Sequence, residues 1–493
     1  MTLHQLAADA AARRPEALAV SGPSGSLTYG ELDAMADALA ARLARRGVRR
    51  GDRVVLWAAK SPETVAATQA VLRLGAAYVP VDGGSPVARV ATIARDCAAR
   101  VVMTDGSWIP RIAAELGEDV GYADMTGPYE PSPPVDTATG PDDLAYLLYT
   151  SGSTGVPKGV CLTHGNARAF VDWAHDLVAP GEDDRFANHA PLAFDLSVFD
   201  LYVAFRAGAS VHLVPPELSF APMRLAEFLH HERISVWYSV PSALAVMMRH
   251  GGLLDRPAPE SLHTVLFAGE PFPLAQLRDL AAWTPARMLN LYGPTETNVC
   301  TFHEVTKADL ARDRPVPIGT PASGDRVWAV RDDGAPAAAG EEGELLVEGP
   351  TVMSGYWGGP PQRGPYRTGD LVRVLPGGSF DYLGRRDQMV KIRGHRVELG
   401  EVEAVLENHG DIAEAAAVAV GEGVDTRLVA FVAPRAGREV SVLALRQHLA
   451  RHLPRSMAAD EVRMLSPLPR NGNGKIDRPV LRARADAAAT RGS

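Results

Sequence analysis

The sequence predicts an α/β protein: a large N-terminal domain of doubly wound sheets with a β-rich subdomain, and a small α+β C-terminal domain. Three observations carry this. Short apolar strands alternate with segments of helical period over roughly the first three hundred residues, the pattern of parallel sheets with crossover helices. Strands then follow one another closely from Gly319 onward, and the last hundred or so residues have an αβ pattern of their own. At 493 residues the chain is also too long for a single core.

The composition, 46% hydrophobic and 22% charged, is that of a soluble globular protein. A net charge of −9 without a long basic run argues against a nucleic-acid partner. No stretch of about eighteen apolar residues is present, so no membrane span is expected. Met1 to Val20 lacks a continuous apolar core and has the pattern of a surface helix, not a signal peptide. The three scattered cysteines, Cys97, Cys161 and Cys300, fit a reducing, cytoplasmic location.

Taken in order, Thr28-Tyr29-Gly30-Glu31 has capping-box spacing, and Leu32, Met35, Leu39 and Leu43 follow at helical intervals. Val54 to Trp57 is a buried strand, a helix runs to Leu74, and Gly75 to Asp82 returns as a strand. From about Gly121 to Asp143, Pro, Gly, Asp and Thr mark a long connection. An apolar run from Leu144 to Tyr149 then opens into Thr150-Ser151-Gly152-Ser153-Thr154-Gly155-Val156-Pro157-Lys158-Gly159. Four hydroxyl side chains, three glycines and a lysine in this run offer unobstructed N–H groups, hydroxyl donors and a cation. Those are the means of holding a polyphosphate. A P-loop is excluded: its glycines stand four residues apart and precede Lys-Ser/Thr and a helix. Here two residues separate Gly152 from Gly155, and Val160 to Thr163 continues as a strand.

Phe194 to Asp200 places Asp195 in an otherwise apolar segment. Such an acid either meets a cation in a pocket or starts a helix at the surface, with Ser197 and Asp200 as further capping residues. Two strands, Ile234–Pro241 and Thr264–Glu270, end in turns where ligands bind parallel sheets. Asn290 to Thr297 follows, with an aromatic suited to a base, hydroxyls suited to phosphate and a carboxylate suited to Mg²⁺, although Gly293-Pro294 also suits a plain turn. Tyr366 to Leu371 supplies an acid at a turn, either solvated or set to accept from a ribose diol. An Arg393–Arg396 turn, a helix through Val402 and Leu406, strands Ala415–Val420 and Leu428–Val432, and a helix Val442–Leu453 complete the C-terminal part.

The phosphate loop, Phe194-Asp195, Tyr292 to Glu296, Tyr366 to Asp370 and Gly384 to Glu398, closed by Lys475, resemble in order the motifs of nonribosomal peptide synthetase adenylation domains. These belong to the wider adenylate-forming superfamily. The resemblance implies domains at 1–384 (ATP and amino-acid sites) and 385–493 (a mobile lid), with a hinge at Asp387. It implies ATP and Mg²⁺ as cofactors, with Thr150, Ser151, Gly152, Ser153, Thr154, Gly155 and Lys158 on the phosphates. Tyr292, Gly293, Thr295, Asp370 and Arg385 complete the nucleotide site, and Glu296 is the metal ligand. Lys475, Thr150, Lys158 and Glu296 carry the chemistry, which makes an aminoacyl-AMP and passes the acyl group to a thiol.

By the same resemblance Asp195 is the counter-ion of an α-ammonium. The amino-acid pocket maps onto Asp195, Leu196, Phe199, Tyr238, Leu266, Ala268, Leu291, Val299, Cys300 and Lys475. Bulky apolar walls favour a small or medium aliphatic substrate, and the set is similar to that of stand-alone L-proline-activating enzymes of pyrrole-2-carboxyl biosynthesis. The acceptor is then a holo peptidyl carrier protein in trans, with a flavin-dependent dehydrogenase possible downstream. Alanine or pipecolate as substrate, and a silent carrier-binding homologue, are the alternatives. Leu453 to Ala458 departs from the family in lacking Ile-Pro after Met457, which touches packing and not chemistry.

Overall fold

The computed structural model describes residues 2–135, 137–150, 157–386, 389–421, 425–470 and 476–489. The chain divides into two compact units: Met1–Gly83, Ala94–Tyr149 and Gly159–Arg386 form one, and Gly84–Ile93, Thr150–Lys158 and Asp387–Ser493 the other.

The first unit is built on two large sheets and one small one. Arg53–Ala58 and Ala77–Asp82 pair in parallel, Val54 beside Tyr78. The helix between them, Pro62–Arg73, starts on Ser61, whose hydroxyl accepts from Thr64 N at 3.1 Å. Almost every residue of that helix is buried, as expected of a crossover covered on both sides. Among the described residues this sheet has seven strands and the larger one nine. In the larger sheet Ser210–Leu213, Arg185–Asn188, Val236–Ser239, Thr264–Ala268 and Arg287–Tyr292 run parallel side by side.

The third sheet is wholly antiparallel: Arg326–Val330, Glu342–Glu348, Tyr366–Val374 and Phe380–Arg385. It packs Val327, Leu345, Val347, Val372 and Phe380 into a separate small core that also takes in Tyr292 and Cys300. Two expectations change here. Gly121–Asp124 is a strand pairing with Val101–Thr104, so the long connection begins only after it. Asp370 lies inside a strand and not at a turn; Gly369, at φ 74°, bends the chain locally so that Asp370 is almost fully buried.

The second unit has its own α+β core. The hairpin Met389–Ile392 and His395–Glu398 turns on Arg393 and Gly394, both at positive φ, the geometry that a two-residue hairpin demands. Ile412–Val420 pairs antiparallel with Arg427–Pro434, which pairs in parallel with Glu461–Met464. Helix Leu399–Glu407 buries Leu399, Val402 and Leu406 in the same core as Leu453 and Met457, so the unusual segment at Met457 still packs apolar. No described helix is long and apolar enough to cross a membrane.

The Thr28 capping box forms as expected: Thr28 Oγ1 accepts from Glu31 N at 3.2 Å, and Glu31 Oε2 accepts from Thr28 N at 2.8 Å. The helix it opens, Tyr29–Arg45, buries Leu32, Met35, Leu39 and Leu43. Thr28→Ala should destabilise this unit by about 1 kcal/mol, seen as a lower denaturant midpoint in urea unfolding followed by circular dichroism.

Candidate active site

Three strand ends make the wall of the site. Tyr238 stands beside Leu266, and Ala268 beside Leu291, in register across adjacent parallel strands. Leu266 and Ala268 are two residues apart and therefore share a face. The four side chains form one patch at the carboxyl ends of the strands, where open α/β sheets bind ligands. Phe199 closes on this patch edge-to-face with Tyr238, ring centroids 5.2 Å apart. Phe199, Tyr238, Leu266, Ala268, Leu291 and Val299 belong to one buried cluster. Cys300 does not: its thiol lies toward Tyr292 O at 3.6 Å, and it packs with the small third-sheet core.

Phe199 is presented by an unusual helix. Leu196–Val198 is α-helical, Phe199–Val203 is a π-turn, and Ala204–Ala207 returns to α. Such bulges shift the facing of a helix and are frequent at functional sites. Asp195 precedes it but makes no side-chain cap; its Oδ2 instead accepts from Thr295 Oγ1 at 2.9 Å. Asp200 is no cap either. It is 1% exposed and accepts from Asn188 Nδ2 at 2.9 Å. Burial raises its carboxyl pKa well above the usual range, and burial together with Asp195 and Asp200 raises that of the Tyr238 hydroxyl. Asn188 O, on the same residue, accepts from Lys60 Nζ at 2.8 Å, and His189 O accepts at 2.9 Å. A buried polar cluster thus lies beside the apolar wall, Asn188 standing in register with Tyr238, and nothing in the sequence marked Lys60 or Asn188 as part of it.

The turn after strand Arg287–Tyr292 brings two acids into the same locality. A Cβ on Gly293 would lie 1.5 Å from the carbonyl oxygen of Asn298, so only glycine permits this closure. Thr297 N donates to Pro294 O at 2.9 Å, and Asn298 takes φ 50°. The compact turn directs Thr295 to Asp195 and buries Glu296 completely. Tyr356 Oη donates to Glu296 Oε1 at 2.7 Å.

Tyr292 is 7% exposed and donates its hydroxyl to Asp370 Oδ2, while Arg385 Nη1 donates to Asp370 Oδ1 at 2.8 Å. Tyr292, Asp370 and Arg385 therefore meet around one carboxylate. Thr150 ends strand Leu144–Thr150 and Lys158 begins strand Lys158–Thr163. Ser151, Gly152, Ser153, Thr154, Gly155, Asp387 and Lys475 lie outside the described residues.

The AMP-binding enzyme family model matches residues 7–357, and the AMP-binding enzyme C-terminal domain model matches residues 401–475. The chain belongs to the AMP-binding enzyme family. Within that family it is 48% identical over 490 residues to the L-proline--[L-prolyl-carrier protein] ligase of Pseudomonas fluorescens, covering 97% of this chain and 98% of that protein. To the ligase of the same name from Streptomyces coelicolor it is 43% identical, over 92% and 91% of the two chains. The amide bond synthetase McbA of Marinactinospora thermotolerans shares the fold, with a TM-score of 0.86 at 24% identity over 98% and 99% of the chains.

The buried cluster gives a pH signature. Burial lowers the Lys60 pKa to about 7, opposed by the nearby Asp200 and Asp82 carboxylates. Between about 7 and the unfolded-chain value the unfolded state binds the extra proton, so stability rises with pH across that window and is lost as pH falls to 7. The unfolding free energy of the wild type relative to Lys60→Met should therefore climb from pH 7 to pH 10, by at most about 1.4 kcal/mol per unit. Urea titrations at four pH values check this.

Proposed function

We propose that this enzyme uses ATP to activate L-proline as prolyl-adenylate and passes the prolyl group to the phosphopantetheine thiol of a carrier protein. The observation that carries the reading is Asp195, whose carboxylate is held by Thr295 at the edge of an apolar wall made of Phe199, Tyr238, Leu266, Ala268 and Leu291. An acid so placed suits a cation on a compact apolar substrate, and proline combines a ring with a secondary ammonium. The two carrier-protein ligases described above, similar over nearly their whole length, are named for that same substrate.

In this reading the substrate carboxylate oxygen attacks the α-phosphorus of ATP, a P–O bond forms, and the bond to pyrophosphate breaks. The carrier's thiolate then attacks the acyl carbon, a thioester forms, and AMP leaves with the electron pair of the broken C–O bond. Two anions must meet in the first step, so preorganised positive charge is the main requirement. Lys158, Lys475 and the hydroxyls and N–H groups of the Thr150–Gly155 loop supply it. Tyr292 faces the base, and Asp370 with Arg385 receives the ribose hydroxyls. The buried Glu296, a hard oxygen donor with a carboxylate already oriented, fits Mg²⁺, which takes one or two carboxylates beside substrate phosphates. When bound, the ion neutralises charge that develops on the phosphate oxygens. Residues 385–493 form the lid of this reading, with Asp387 as its hinge.

Amino-acid-dependent ATP–pyrophosphate exchange tests the function. L-Proline should support exchange, and Asp195→Ala should abolish it by stranding the ammonium, a loss of roughly 3–5 kcal/mol, while ATP binding stays near normal. Undiminished exchange in that variant would show the ammonium to be held elsewhere.

The two half-reactions separate the role of Lys475. Lys475→Ala should slow adenylation by several orders of magnitude, roughly 3–5 kcal/mol. Transfer from supplied prolyl-adenylate to holo-carrier should remain close to the wild-type rate. Equal slowing of both steps would remove Lys475 from its assigned role.

A further inference from the structure

The segment Met353 to Trp357 is used by no step above, yet it grips Glu296 at both ends. Met353 N donates to Glu296 O at 2.8 Å, and Tyr356 Oη donates to Glu296 Oε1 at 2.7 Å. The same segment is sewn to the strand that leaves the glycine-rich loop. Gly355 pairs with Cys161 and Tyr356 with Val160. Ser354 N donates to Cys161 O at 3.0 Å, and Trp357 N donates to Gly159 O at 2.8 Å. Its far end is fixed as well, because Trp357 Nε1 donates to Asp96 O at 2.9 Å and the Arg53 guanidinium stacks on the indole at 4.5 Å.

The close fit shows in two glycines. Gly159 lies between Tyr149 and Trp357, where an added Cβ would sit 3.1 Å from the tyrosine ring and 3.3 Å from Trp357 Cβ. Gly355 takes φ 144°, a backbone conformation that other residues rarely adopt, and a Cβ there would meet Pro360 O at 2.9 Å. Five residues therefore hold one carboxylate and one loop-exit strand in a single arrangement.

We infer that Tyr356 is a positioning residue for the metal-binding carboxylate of Glu296, and that the Met353–Trp357 strap fixes this carboxylate relative to the exit strand of the phosphate loop. The inference rests on the nucleotide reading given above. A carboxylate ligand to Mg²⁺ must present an oxygen in a narrow octahedral geometry, and the ion must reach the phosphates at the same time. A hydrogen bond to one carboxylate oxygen sets the rotation of the carboxylate plane. Loss of such an orienting partner typically weakens metal affinity by about 10–100-fold. The backbone pairing then determines how far that carboxylate lies from the strand carrying Gly159 to Cys161.

The test is calorimetric titration of ATP, without amino acid, at a series of free Mg²⁺ concentrations. Tyr356→Phe keeps the ring and removes only the hydroxyl. The Mg²⁺ concentration giving half of the gain in ATP affinity should rise by about tenfold or more, while ATP affinity without Mg²⁺ stays at the wild-type value. A merely structural tyrosine would instead lower the Mg²⁺-free affinity and leave the Mg²⁺ midpoint where it is in the wild type. In a Glu296→Gln background, Tyr356→Phe should add no further shift, since the oriented group is gone. An unchanged Mg²⁺ midpoint in Tyr356→Phe, or an equal additional shift in the Glu296→Gln background, overturns the inference and leaves the functional reading intact. A wild type whose ATP affinity does not respond to Mg²⁺ overturns the nucleotide reading, and the inference with it.

Discussion

The site depends on one close approach, that of the Gly293 backbone to the carbonyl of Asn298. No side chain fits between them, and the six-residue turn they close is tighter than any Cβ-bearing residue would allow at that position. Because the turn is compact, consecutive residues face different partners: Thr295 reaches Asp195, and Glu296 is buried against Tyr356. Loosening it would move both carboxylates at once. The strand before it, Arg287–Tyr292, supplies Leu291 to the apolar wall and Tyr292 to Asp370. One strand and one turn thus touch the apolar wall and both Asp195 and Asp370.

The apolar wall is flanked by polar groups. Asp200, Asn188 and Lys60 are all buried, and such groups are costly without partners. Asn188 links the other two, giving its amide to the acid and its carbonyl to the amine. The pKa shifts run toward neutrality on both sides, upward for the acid and downward for the amine, which is how buried ionisable groups lessen their desolvation cost. The π-turn at Phe199–Val203 carries Asp200 inward in this way.

Strand and helix positions were largely legible in the sequence, because burial on both faces of a parallel sheet leaves unbroken apolar runs such as Val54–Trp57 and Val236–Tyr238. The capping box at Thr28 was legible because its reciprocal bonds are local. Asp370 was misplaced at a turn, since Thr-Gly-Asp has the composition of one. Only cross-strand pairing, Asp370 beside Arg385, shows it to lie within a strand. Asp200 had the look of a cap, and the widened helical turn that buries it has no residue signature. Tyr356 and Lys60 were invisible for another reason: their partners lie 60 and 128 residues away, and no periodicity encodes that separation.

The hydrogen bond from Thr295 to Asp195 has a geometric consequence for what the site measures. It joins Asp195, the acid proposed to face the substrate's nitrogen, to a residue whose neighbour, Glu296, is proposed to face the metal. On the proposed reading, the substrate's nitrogen and the metal beside the nucleotide are therefore both positioned from a single short piece of backbone. A site so built would suit a nitrogen and a carboxylate separated by one tetrahedral centre. A homologue with an extra methylene between them, such as a β-amino acid, would place its carboxylate out of step with the nucleotide even if its side chain fitted the wall. Selection by backbone length is in this way built into the turn, separately from selection by side-chain volume, which belongs to the strand ends.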